Sequence, residues 1–315
     1  MIKLSLTGTV NRVTIEQSFY WITGVFKAMI RCSRATVTNI LLYGVFSSLV
    51  TLLSTMSSLG MLTYLFFFPV IGSIIINLHS ARENAGTEPG FYHGFRPPHF
   101  RRLLLSNFYL MLVCFVVVLL FIAFCSYSGM FSDENKLVFQ KLQHYIVEHN
   151  GKIDPSELKN IAASLGIDLN LLLQLVSQIF LATMVLLTVF TVVMLYFMLV
   201  PFFIVLTYTD VKTLHLNMYV LSFKAFIKLA NFIPYLLYGI VVGFGSLFYL
   251  VFTAGIIGAF HLPVPMAIVF SCMLNAPLSV FFIYSFYFMF IDLFCDRACK
   301  EASPANQDDI GTMKI

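Results

Sequence analysis

Six apolar runs, each long enough to cross a bilayer as a helix, divide this chain: residues 37–55, 61–78, 103–125, 179–206, 233–259 and 264–294. A crossing takes about 20 mostly apolar residues at roughly 1.5 Å each. The runs are apolar all round and lack the strict alternation of a barrel strand. Two further stretches, 18–36 and 211–232, are patterned differently. In the first, Phe19, Ile22, Phe26 and Ile30 recur at helical spacing against Lys27, Arg31 and Arg34. In the second, Leu216, Tyr219, Phe223 and Phe226 stand against Lys224 and Lys228. Such patterns predict amphipathic helices, either lying flat in the membrane interface or packed as a cap on the other helices. The expected fold is all-α: a polytopic membrane bundle of six transmembrane helices with two interfacial amphipathic helices.

The two amphipathic stretches are related. Phe26-Lys27-Ala28-Met29-Ile30-Arg31 matches Phe223-Lys224-Ala225-Phe226-Ile227-Lys228, and Leu41-Leu42-Tyr43-Gly44 matches Leu236-Leu237-Tyr238-Gly239, at offsets of 197 and 195. Four crossings separate the copies, so both basic helices fall on one face and the repeat is parallel rather than inverted. The organisation expected is residues 1–125 with the first amphipathic helix and three crossings, residues 126–178 as an extracytoplasmic helical loop, and residues 179–315 with the second amphipathic helix and three more crossings.

Composition closes off a soluble fold. Of 315 residues 59% are apolar and 11% charged, with a mean hydropathy of +0.88, against roughly 25% charged in soluble domains. Residues 1–17 carry Lys3, Arg12 and Glu16 without an apolar run, so no cleavable signal peptide is expected there. Orientation follows from the 19 Lys and Arg. If the N-terminus is cytoplasmic, fifteen lie on the inside and four, Lys136, Lys141, Lys152 and Lys159, on the outside. Both termini are therefore expected in the cytoplasm. Lys27, Arg31, Arg34, Lys224 and Lys228 are the expected membrane-interface anchors, each worth about 1 kcal/mol near anionic headgroups.

Chemistry is sparse. Pro69, Pro201 and Pro277 sit within apolar runs and predict kinks, and Asn275 beside Pro277 marks a possible cavity. Asp292 is the nearest ionisable group to the spanning segments, which argues against a proton-coupled pump. His93 and His99 form the one concentrated polar pair and read as a surface loop at the headgroups. Cys295 and Cys299 supply two thiols where a zinc site needs four ligands. In the loop, an acidic cap at Asp154-Pro155-Ser156-Glu157 predicts a second helix ending near Gly166, with Asp168 capping the helix that descends into the membrane. No catalytic group, metal site or cofactor is expected.

The leading helix with Trp21 and Phe26, the proline in the second run, the Gly94-Phe95 turn, and the segment from Ser222-Phe223-Lys224-Ala225 to Leu236-Leu237-Tyr238-Gly239 together resemble a family of six-helix bacterial inner-membrane proteins of unknown function. The resemblance covers about two thirds of the chain, omits the outside loop, and implies a bacterial inner membrane without implying any catalytic residue. The expected function is that of a non-enzymatic membrane protein acting as a subunit, scaffold or assembly factor. Its expected partners are a bilayer with anionic headgroups and a protein partner or second copy, and nucleic acid is not among them. The competing expectation is a carrier or flippase for a neutral or lipophilic molecule, with a cavity lined by Asn275, Ser271, Ser73 and tyrosines. Reversing Lys27, Arg31 and Arg34 together to Glu should lower the yield of correctly inserted protein more than three reversals in the outside loop. A reporter fused after Ile315 reads this, and equal yields with the reporter still cytoplasmic would show that these bases do not set topology.

Overall fold

A capping box starts the first helix: the Thr14 hydroxyl accepts from the Gln17 amide at 3.4 Å, and the Gln17 side chain accepts from the Thr14 amide at 2.8 Å. This helix, α1 (Ile15–Arg31), ends at Cys32, and α2 (Ser33–Met56) begins one residue later. A 3-10 stretch, Ser58–Phe66, leads into α3 (Phe67–Arg82). Then follow α4 (His99–Tyr127), α5 (Asp133–Glu148), α6 (Leu169–Phe197), α7 (Val200–Leu206), α8 (His215–Ile227), α9 (Phe232–Ala259) and α10 (Val264–Phe294). The computed structural model describes residues 9–83, 88–97, 99–130, 132–148, 162–163, 166–206, 215–260 and 262–295. The described residues are all-α, and among them six helical segments are long and apolar enough to span: Ser33–Met56, Leu62–Arg82, His99–Tyr127, Leu169–Leu206, Leu229–Ala259 and Val264–Phe294. By length and hydropathy it is a multi-pass transmembrane helical protein.

The residues divide into two compact units, Met1–Leu110 with Leu195–Ile315, and Met111–Met194. In the larger unit α3 is the axis. Every residue from Phe68 to Leu78 is buried, so the helix is covered on all sides. Against it and one another pack α2, α7 and α10, whose Phe203, Phe290 and Phe294 meet edge to face at centroid distances of 4.8 Å. The segment 88–97 folds back over α3. There the Gly94 amide donates to the Ser73 hydroxyl at 2.7 Å, and Gly94 packs directly on the backbone of α3. Helix α2 runs closest to α10, where Gly44 faces Met273 and Ala276.

The two amphipathic helices bury the same register. Trp21, Val25 and Ala28 of α1 are buried, as are Met218, Ser222 and Ala225 of α8, each pair 197 residues apart. The outcome differs from a helix lying flat on lipid by one face. Helix α1 has three: a packed face, an exposed apolar face with Phe19, Phe26 and Ile30, and a cationic face with Lys27 and Arg31. In α8, Tyr219 and Phe223 turn inward. Phe223 stacks on Tyr196 at 4.2 Å, and the Tyr219 hydroxyl donates to Ser106 at 3.0 Å.

The smaller unit holds α5 and the adjoining parts of α4 and α6. Val138, Ala162, Ile167, Leu172 and Leu175 form one cluster; Cys125, Met130 and Ala182 form another. Asp168 caps α6, its carboxylate accepting from the Asn170 amide at 2.9 Å. The second loop helix expected from Asp154 lies outside the described residues.

The contact under Gly94 is testable. A Cβ there would stand 2.0 Å from the Pro69 carbonyl oxygen, a backbone atom that cannot swing aside. Gly94→Ala should cost about 3 kcal/mol, the upper end of ordinary overpacking. At Gly239 an added Cβ would meet nothing within 4 Å, so Gly239→Ala should be neutral or stabilising by up to about 1 kcal/mol. Thermal unfolding in mild detergent compares the two.

Candidate functional site

Asparagines do not belong in apolar helices unless another group answers them. Asn39 of α2 and Asn77 of α3 are both buried and answer each other, the Asn77 amide donating to the Asn39 oxygen at 2.7 Å. Asn39 donates in turn to the Tyr284 hydroxyl of α10 at 3.0 Å and to the Ile74 carbonyl at 3.3 Å. The Thr36 and Tyr284 hydroxyls lie 3.3 Å apart. Asn77 also exchanges two bonds with Gly90, accepting from its amide at 3.0 Å and donating to its carbonyl at 3.1 Å. One network therefore joins α2, α3, α10 and the returning segment. Interhelical bonds of this kind are worth about 0.6–2 kcal/mol in membranes, whereas a single orphaned group costs several.

Toward the ends of α3 and α10 the groups become charged. His79 Nδ1 lies 2.9 Å from the Tyr287 hydroxyl, and the Arg82 guanidinium sits 4.8 Å from the Phe288 ring centroid and 5.4 Å from that of Tyr287. Trp21, 0% exposed, donates its indole N–H to the Asp292 carboxylate at 2.8 Å. The indole is stacked on Tyr235 and meets Tyr238 edge-on. The segment before α1 is held in the same region. Asn11 donates to the Cys295 carbonyl at 3.2 Å, the Val13 amide to Asn231 at 2.9 Å, and the Lys228 ammonium to the Val10 carbonyl. Cys32, between α1 and α2, is half-buried. Burial pushes its thiol up, partly opposed by Arg82 and Arg31.

The residues expected from sequence fall as follows. Lys27, Arg31, Arg34 and Lys224 are exposed, and Lys228 is half-exposed. Arg34 pairs with Glu88 at 3.3 Å in solvent. Pro69 stands in the first turn of α3 and Pro201 in that of α7, where a missing N–H costs nothing, and the breaks fall just before each helix. Pro277 lies inside α10. Asn275 donates to the Ser271 carbonyl at 2.9 Å and accepts from Thr253 of α9 at 3.4 Å. Ser73 belongs to the Gly94 contact, and Asn275 to a separate set with Ser271 and Thr253. His93 and His99 are buried rather than displayed on a surface loop: His93 lies in segment 88–97 against α3, its ring nitrogen 2.9 Å from the Glu88 carbonyl, and His99 is the first residue of α4. Cys299 lies outside the described residues.

Sequence reasoning passed over Asn39, Asn77, Tyr284 and the segment around Asn11, and noted Trp21 without its partner Asp292. Lone Asn residues within apolar runs were an available signal for the first two. Their partners lie 13 to 245 positions away, and spacing cannot name them. Comparison of the chain with protein-family models, curated proteins and solved structures finds no match.

The Trp21–Asp292 bond yields a prediction. Trp21→Phe removes a donor from a buried carboxylate and should cost about 1–3 kcal/mol. Asp292→Asn keeps an acceptor and should cost less. The double variant should lose less than the two separate costs together, as read from unfolding midpoints in a double-mutant cycle.

Proposed function

We propose that this protein is a non-enzymatic integral membrane protein that acts through partners, as a subunit, scaffold or assembly factor. One observation carries the reading: a set of polar groups within the apolar helices is bonded from element to element and binds those helices together. Asn39, Asn77, Tyr284 and Ser73 hold α2, α3, α10 and the returning segment, while Phe203, Phe290 and Phe294 fill the space beside α3. The surfaces left to act are the outward ones. Among them is the exposed apolar length of α9, including Ile240, Phe244, Leu247, Phe248 and Val251.

The reading extends to a bacterial inner membrane, from the motif resemblance, and to a cytoplasmic location for the end bearing α1 and α8, from the excess of Lys and Arg there. Lys27, Arg31 and Arg34 with Lys224 and Lys228 then face anionic headgroups.

Purification of the full chain in mild detergent should retain a stoichiometric protein partner or a homo-oligomer. A clean monomer with no crosslinked neighbour in cells would overturn the proposal.

A further inference from the structure

A groove of about 430 Å³ opens between the segment that precedes α1 and the face of α8, lined by Thr9, Val10, Leu221, Lys224, Ile227 and Lys228. Leu221 and Lys224 lie on α8, three residues apart, and Lys228 follows in the extended residue just past its end. The Lys228 ammonium donates to the Val10 carbonyl, which holds the two walls of the groove together and fixes this cation at its edge. Lys224 is exposed beside it. Among the described residues no carboxylate lines the groove, and Thr9 shares the rest of the wall with the apolar Val10, Leu221 and Ile227. Directly after Lys228 the chain enters the candidate span Leu229–Ala259, whose first turns expose Leu229, Phe232, Ile233 and Leu236.

Two cations lining one groove suit a phosphate group, whose oxygens can accept from both. An apolar floor that runs onto a spanning helix suits an acyl chain, and would be wasted on a free anion. We propose that this groove is a binding site for one anionic phospholipid, with the phosphate between Lys224 and Lys228 and the chain directed along α9. The proposal rests on the reading of this end of the protein as facing lipid headgroups. It differs from the diffuse attraction exerted by Lys27, Arg31 and Arg34 in being stoichiometric and shaped.

The test uses the full chain in mild detergent, with phosphatidylglycerol and phosphatidylcholine as probes and native mass spectrometry as the readout. One phosphatidylglycerol per chain should be retained in preference to phosphatidylcholine. Lys224→Gln should weaken retention roughly fivefold, and Lys224→Gln with Lys228→Gln roughly 25-fold, following the usual worth of a base at an anionic surface. Leu221→Trp, which fills the groove and keeps both lysines, should weaken it as well; Lys27→Gln with Arg31→Gln should leave it unchanged. Unfolding midpoints show that each variant is folded, and Lys224→Gln alone, which spares the Lys228–Val10 contact, suffices if the double variant is not. Equal binding of both lipids, equal loss from the Lys27 and Arg31 pair, or displacement by excess inorganic phosphate would each overturn the proposal. Binding in detergent does not depend on which leaflet this end occupies, so an error in the orientation reading leaves this result standing.

Discussion

Hydrocarbon offers no hydrogen bonds, and the larger unit is organised around that deficit. A buried Asn on an apolar helix must find its answer inside the protein, and for Asn39 and Asn77 the partners come from other elements. Asn77 reaches α2 with one bond and the returning segment with two more, and Asn39 carries the chain on to Tyr284 of α10. Removing one member strands several others, so the network favours one arrangement of its helices over near alternatives that apolar packing alone would tolerate.

The rest of the unit builds outward from this. With α3 enclosed by α2, α7 and α10, its close contacts demand small residues, and Gly94 supplies one where the returning segment touches the α3 backbone. The end of α10 is then fixed twice, by Trp21 from α1 and by Asn11 from the segment before it. Asn231, just ahead of α9, takes the Val13 amide and completes the attachment. The two copies of the basic motif end up in different surroundings. Gly44 is pressed against α10, while Gly239, its counterpart, has open space around it. The repeat thus supplies equivalent helices but unequal exposure.

How much of this was legible in sequence depends on the kind of surroundings each residue meets. The six spans were readable, because hydropathy over 20 residues is a large and local signal. Which side of α1 turns inward was not. Trp21, Val25 and Ala28 are apolar, and so are Phe19, Phe26 and Ile30; one set meets protein and the other is exposed, and to a hydropathy pattern protein interior and lipid are the same medium. The capping box at Thr14 was visible in the letters Thr-x-x-Gln, whereas the 3-10 stretch ahead of α3 had no such mark beyond Pro69. Pairings such as Asn39 with Tyr284 span most of the chain, and no periodicity encodes them.

Trp21 is the single tryptophan of the chain, and its position makes it a natural optical reporter. Its indole is buried, bonded to a carboxylate, and flanked by Tyr235 and Tyr238 at centroid distances of 5.8 and 5.7 Å. Light absorbed by those tyrosines passes readily to an indole this near. Emission excited through tyrosine therefore registers whether α1, α9 and α10 are together, while the wavelength of emission registers whether water has reached the ring. Without any added label, the protein carries a probe at the junction where the segment before α1, the first amphipathic helix and the last two spanning helices meet.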